Sequence, residues 1–313
     1  MRWDCAGRIV TRTEATISCY KERYHNLCLM AEREAGTGGD IGAVIAWFRR
    51  QDCRWAASTI RQYRAALCCA LKSTRMRPSM RDRLERLVAK GPAPRVSGPK
   101  RTSARKRKSL SPEEFSRLIQ YLRRTRRPDD ALIASFLGFG IVLFLRPSEY
   151  LQACIKGNIL YVKNSKSTNG RGNGEYRARD LSQLGGVLIG KLNLFLQNLR
   201  NAVEASGNWR VLHGRLAARL ARACRILNIK RVSLYTLRHV GMATAKLHLE
   251  PREVAAAAGH ASVATATSHY AKRRTGWRKF QVVCRPTRDS VERVRGEVKY
   301  FRPSGPVRGA ALA

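Results

Sequence analysis

Along residues 13–34 the apolar positions Ile17, Tyr20, Tyr24, Leu27 and Ala31 recur every three or four residues, the stripe of a helix that buries one face. Gly36, Gly38 and Gly39 end it. Ile41, Val44, Ile45 and Phe48 predict a second helix, and Ile60, Tyr63, Leu67 and Leu71 a third, with Ser58 placed to cap its start. A shorter fourth helix is predicted over 79–89. From Gly91 to Lys108 the periodicity stops, and Pro, Gly, Ser and the run RTSARKRK read as a linker. The pattern restarts at Ser111-Pro112-Glu113-Glu114, which combines an N-cap, a proline at the first helical position and a capping-box glutamate. Phe115, Leu118, Ile119 and Leu122 then form a buried face. A long apolar helix is predicted over 130–145 and a strand over 158–163. A Gly- and Asn-rich turn at 168–174, with the polar stretch 176–181, completes a hairpin. Helices follow around 187–200, 214–227, 235–247, 251–258 and 263–271. The chain after 272 reads as basic and irregular, with one helix at 290–301.

These patterns predict a mainly α protein with a small β-hairpin or sheet. Four parts follow from them: a helical domain over 13–92, a basic linker over 93–110, an α+β domain over 111–281 and a basic C-terminal tail over 282–313.

Charge changes the picture more than composition does. Among 313 residues, 61 Lys and Arg stand against 22 Asp and Glu, a net charge of +39. Such an excess repels itself unless a polyanion neutralises it, and nucleic acid gains affinity from Lys and Arg by releasing condensed counterions. A membrane is the rival surface, but no apolar run approaches the roughly 20 residues that span a bilayer. Arg8, Arg12, Lys21 and Arg23 interrupt the first thirty residues, so no signal peptide is read there. The nine cysteines are odd in number and form no CxxC pair, which argues against a zinc site or a disulfide framework and for free thiols in a reducing compartment. Arg61, Arg64 and Lys72 lie off the apolar stripe of the third helix and are candidates for DNA contact. Arg105, Lys106, Arg107 and Lys108 read equally as a strap on DNA phosphates, a nuclear import signal or a solvated charge run.

Candidate chemistry sits in the second domain, in FLRPSEY (144–150), YTLRH (235–239), AAGH (257–260) and TATSHY (265–270). In this order the four segments resemble the signature of the tyrosine recombinase (phage integrase) family, and STIRQYRAAL (58–67) is similar to that family's DNA-clamping N-terminal domain. The resemblance implies Arg146 and Arg238 as the guanidiniums that hold a DNA phosphate, His260 as a hydrogen-bonding partner of the phosphate or the tyrosine proton, and Tyr270 as the nucleophile. It also implies a lysine on the hairpin as proton donor to the leaving 5′ oxygen. Lys166 is the first choice, and Lys163 on the same hairpin stays open. The chemistry suits these residue types. A phosphodiester transition state gathers negative charge that two forked, always-charged guanidiniums can hold, and a phenol can form a covalent 3′-phosphotyrosyl link that conserves the bond energy for religation.

Each residue also has a plain reading. Arg146 beside Pro-Ser-Glu suits a helix cap paired with Glu149, Arg238 one surface charge among many, and Tyr270 an amphipathic tyrosine. His239 reads as packed and His269 as an exposed neighbour. Two departures stand out. Tyr235 occupies the place where the family usually carries histidine, and a phenol near pKa 10 donates to a phosphate oxygen but accepts protons poorly at neutral pH. The spacing from His260 to Tyr270 is one residue longer than usual, which the loop around 259–262 is expected to absorb.

The resemblance implies a site-specific DNA recombinase or integrase of a mobile element, working without cofactor or metal as a homotetramer on double-stranded DNA. It further implies an intracellular place, the nucleus in a nucleated cell and otherwise the cytoplasm with its nucleoid. A type IB topoisomerase and a recombinase-derived DNA-binding protein with an impaired site are the alternatives.

Overall fold

The computed structural model describes residues 14–96, 107–165, 172–265, 270–280 and 284–296. The chain divides into two units, Met1–Ser103 and Ala104–Ala313.

Four helices build the first unit: α1 (Glu14–Ala35), α2 (Ile41–Arg49), α3 (Ala57–Ser73) and α4 (Pro78–Lys90). Leu27, Val44, Ile45, Phe48, Leu67 and Leu71 are fully buried between them, so the apolar stripes meet in one core. Helix α3 starts one residue before Ser58. Ala56 takes the N-cap position without a side-chain bond, and Trp55, stacked on Phe48 at 5.7 Å, fixes the entry of the chain instead. Arg61 and Lys72 are exposed. Arg64 is not free in the same way: its Nη2 donates to the carbonyl of Lys90 at 3.0 Å, at the C-terminus of α4. Packing near that helix end draws it off the open surface.

The second unit opens with α5 (Pro112–Arg124), whose Ser111–Glu114 capping box forms as the sequence predicts. Helix α6 (Pro128–Leu143) is apolar on nearly every side and is buried accordingly. A 3₁₀ turn over Pro147–Gln152 leads into a four-stranded antiparallel sheet in the order β1 (Cys154–Lys156), β2 (Ile159–Lys163), β3 (Tyr176–Asp180), β4 (Arg285–Pro286). Helices α7 (Gly186–Ala205), α8 (Trp209–Ile226), α9 (Leu234–His248), α10 (Pro251–Ala258) and α11 (Arg288–Glu292) complete it. The architecture is mainly α with one small sheet.

Two segments differ from expectation. Residues 107–110 pack on the second unit: Thr236 Oγ1 donates to the carbonyl of Arg107 at 3.0 Å, and Leu110 is buried. Residues 284–296, read above as irregular tail, contribute β4 and α11. Strand β4 pairs Arg285 with Asp180 and Pro286 with Arg179, and the helix expected over 290–301 lies at 288–292 instead. Both elements are too short to carry a periodic signal, and backbone pairing to β3 creates the strand.

Helices α6 and α9 cross closely. A Cβ on Gly140 would lie 2.7 Å from the Leu237 side chain, and one on Gly241 would lie 2.6 Å from the Ile141 carbonyl. This close approach sets the C-terminus of α6 beside the first turns of α9, where the candidate chemistry lies.

Candidate active site

Helix α6 ends at Phe144, a non-glycine residue in the left-handed region (φ 40°). Helix α10 ends at Gly259, φ 71°. Any larger residue at 259 would drive its Cβ to 2.3 Å from Asn164 Oδ1 and 2.8 Å from Arg177 Nη1, which is why a glycine precedes His260. Both helix ends point their unpaired carbonyls at buried arginines. Arg238 Nη1 donates to the Phe144 carbonyl at 2.7 Å and Nη2 to the Ala258 carbonyl at 2.7 Å. Arg179 donates to Leu143 at 2.9 Å, and Arg177 Nε to Ala257 at 3.0 Å. Helix C-termini carry partial negative charge, so two of them help neutralise a cluster of guanidiniums.

One carboxylate supplies the rest. Glu149, fully enclosed, accepts from Arg146 Nη1 at 2.6 Å, from the Arg146 backbone at 2.8 Å and from Arg177 Nη2 at 2.8 Å, with Arg238 Nη1 at 3.8 Å. Burial alone would raise its carboxyl, but the charges of Arg177, Arg238 and Arg146 outweigh that and hold it well below the usual carboxylate range. Burial pushes the Arg177 guanidinium down, and it brings Arg179, which has no carboxylate partner among the described residues, down to about 10. The plain reading of Arg146 as a cap paired with Glu149 is therefore true as far as it goes. The charge of Arg146 also acts on the phenols of Tyr270 and Tyr235.

Tyr270 is the centre of the arrangement. Its hydroxyl lies 3.2 Å from Arg238 Nε and 3.1 Å from the hydroxyl of Tyr235, and the Arg238 guanidinium sits 5.1 Å from its ring centre. The rings of His260 and His239 flank it at 5.0 and 5.2 Å. Burial pushes the Tyr270 phenol up, but Arg238 and Arg146, with hydrogen bonds from Tyr235 and Arg238, overcome this and bring it down to about 8. Burial, only partly offset by Arg238, raises Tyr235 instead. When Tyr270 ionises, Tyr235 keeps its proton and donates to the Tyr270 oxygen.

His260 Nε2 lies 3.2 Å from Arg238 Nη2. Arginine only donates, so Nε2 accepts and the ring proton resides on Nδ1, which has no partner among the described residues. Burial, and then the charges of Arg238, Arg146 and Arg177, depress His260 to about 2. It is a neutral acceptor at Arg238. His239, packed as expected, is lowered to about 4 by burial and by Lys108 and Arg238.

The Tyr270 segment is fastened to its own chain. Lys246 Nζ donates to the Ala271 carbonyl at 2.9 Å, Trp277 N to Thr244 Oγ1 at 3.0 Å, and Trp277 Nε1 to the Leu110 carbonyl at 2.8 Å. The site thus gathers Arg146, Tyr235, Arg238, His260 and Tyr270 from four stretches of one unit.

Lys163 stands apart, on the outward face of β2. It pairs with Glu175 at 3.2 Å and lies 5.7 Å from the Tyr176 ring, while Leu160, Val162, Arg177 and Arg179 face inward. Lys166, Arg105, Lys106 and His269 lie outside the described residues. Arg107 binds Glu114 and the Lys230 carbonyl, so it stays within the unit rather than reaching outward as a strap. Lys108 is half-buried, close enough to His239 for its charge to act there. Sequence reasoning missed Arg177, Arg179 and Lys246. The alternation in Tyr176-Arg177-Ala178-Arg179 was the available signal, with the arginines on the buried face.

No protein-family model matches the chain, and no curated protein matches it. Among solved structures it is similar to a lambda integrase tetramer bound to a Holliday junction, at 14% identity over 88% of this chain and 77% of that one, TM-score 0.47. It is similar also to XerH site-specific recombinase bound to difH substrate in a pre-cleavage complex (14% identity, 80% and 75% covered, TM-score 0.46). XerA recombinase is a third (18%, 82% and 92% covered, TM-score 0.35). Likenesses this distant carry no chemistry across, which leaves the reading to the residues themselves.

Tyr235→Phe tests the phenol pair. Losing the donated hydrogen bond is expected to move Tyr270 up from about 8 toward 10. Any reaction of the Tyr270 phenolate would then have its rising pH limb displaced upward, with a loss of about tenfold near pH 7. An unchanged limb would remove Tyr235 from this role.

Proposed function

We propose that this protein is a DNA strand-exchange enzyme that cleaves and rejoins double-stranded DNA through a covalent bond between phosphate and Tyr270, as a site-specific recombinase does. The observation that carries the reading is the lowered Tyr270 phenol held between Arg238 and Tyr235, within the field of Arg146. With an ionisation near 8, roughly a tenth of Tyr270 is phenolate at pH 7. In the attack, the Tyr270 oxygen forms a bond to phosphorus as the bond to the 5′ oxygen breaks, and that oxygen takes a proton from a general acid. Lys166 is the proposed donor, because Lys163 faces the other side of the sheet. Religation reverses the step without an external energy source. Arg146 and Arg238 hold the non-bridging oxygens, and since Arg238 Nε already binds Tyr270, phosphate entry exchanges that contact for its own. The helical first unit, with Arg61 and Lys72 exposed, serves as a clamp on the duplex, and pairs of protomers in a tetramer act in turn on two duplexes.

One observation favours a second reading, a DNA-binding protein without cleavage. Nε, Nη1 and Nη2 of Arg238 all have partners within the chain, so a site that never releases Tyr270 would hold no phosphate.

A nicked suicide substrate separates the two. Trapped protein–DNA adduct that disappears in Tyr270→Phe is the expected result, and no adduct at any tested site would leave only the binding module. Because its segment is anchored on α9 of its own chain, Tyr270 is expected to act in cis. Mixing Tyr270→Phe with Arg146→Ala protomers should therefore restore no cleavage, and restored cleavage would show the nucleophile crossing between subunits.

A further inference from the structure

The second unit carries a groove away from the candidate site, between α6 and α7, with a cavity of about 560 Å³. Its floor is apolar, formed by Gly138, Phe139, Val142, Leu188 and Leu194. Leu188 is 45% and Leu194 56% exposed, and with the apolar floor they form a contiguous patch of the kind that marks an interaction site. Its rim is basic: Arg123, Arg126, Arg127 and Lys191. No acidic residue lines it, and none of the four rim cations is in an ion pair among the described residues. Asp129 and Asp130, next in sequence to the rim, are held by Arg215 and Arg219 at 2.8 and 2.7 Å, although the charge of Arg127 also reaches Asp130.

We propose that this groove binds an acidic amphipathic helix of a partner protein, laying leucine-sized side chains on the floor and carboxylates against the rim. Charge selects this occupant over the others. The chain's own residues 297–313 carry Lys299, Arg302 and Arg308 against the single acid Glu297, so the rim repels them. A second copy brings a net charge of +39 to the same rim. Single-stranded nucleic acid would suit the cations, but its bases need open aromatic faces. Here Phe139 and Phe195 are stacked on each other, 5.7 Å apart and 18° from parallel, and Phe195 is buried. A helix with apolar anchors at i, i+3, i+4 and i+7 and acidic flanks meets both features. Occupancy would bear on α6, whose last turn and cap supply the carbonyls that hold Arg179 and Arg238.

The test uses the full chain and a fluorescein-labelled peptide of about four helical turns, with leucines on one face and glutamates flanking them. Its partners are a scrambled peptide of equal composition, a peptide of residues 297–313 and a single-stranded oligonucleotide. The amphipathic acidic peptide is expected to bind about tenfold tighter than the scramble, and to weaken about tenfold in Leu194→Glu and again in Lys191→Glu. Both positions are exposed, and circular dichroism confirms that each variant folds. Equal affinity for the scramble, or affinity unmoved by either variant, would reduce the effect to non-specific charge and overturn the proposal. Groove-dependent binding of the 297–313 peptide or the oligonucleotide, in place of the acidic helix, would overturn it too.

Discussion

Glu149→Ala is expected to destabilise the second unit by about 3–5 kcal/mol, the loss typical of leaving buried charges without their counter-ion. Arg146, Arg177 and Arg238 all face this one carboxylate, and Arg177 and Arg238 are fully enclosed. Two helix C-termini remain to oppose them, but partial charges do not replace a full one. Glu149→Gln separates charge from shape, since the amide keeps the volume and one acceptor. It is expected to recover only a small part of the loss. Urea unfolding of the full chain checks this, read from the second unit's own transition, with the first unit unaffected. A loss under about 1 kcal/mol would mean that the arginines are compensated by the helix ends alone.

Arg146→Ala is expected to lower the rate of covalent adduct formation about 10³-fold, the scale of removing one preorganised donor from a developing negative charge. Duplex affinity should stay within a few-fold, because clamp contacts to many phosphates dominate binding. Arg238→Ala should abolish the adduct as well, and differs in also weakening the fold. Its guanidinium closes the ends of two helices, at the Phe144 and Ala258 carbonyls. Lysine at 238 cannot fork to both carbonyls and to Tyr270 at once, so Arg238→Lys is expected to behave like the alanine variant in cleavage. Single-turnover adduct formation on a nicked substrate, beside a binding titration at fixed salt, distinguishes these outcomes. Binding lost in step with cleavage would make the two arginines part of the clamp or of the scaffold.

The helical stripes of the first unit and the Ser111 capping box were legible because they are local: a few residues at fixed intervals decide them. The meeting of Arg146, Tyr235, Arg238, His260 and Tyr270 was anticipated only through an ordered set of motifs, and side-chain distances now replace that order. Arg177 and Arg179 were missed although their alternation was visible. A strand with arginine at alternate positions reads as solvent-facing by hydropathy, and only the ends of α6 and α10, brought in from far along the chain, make their burial tolerable. The tautomer of His260 was out of reach for a related reason: it depends on a neighbour 22 residues away. Arg285 and Pro286 became strand because β3 offered them an edge, which no short segment announces by itself.

From sequence alone came most of the elements, the basic character and the candidate residues, since periodicity, charge and side-chain chemistry are properties of the residues. Tertiary structure alone decided which face of the sheet is inside, which tyrosine loses its proton first and which arginines are already engaged. Those outcomes depend on burial and on charges summed across distant segments, and neither exists before the chain has folded.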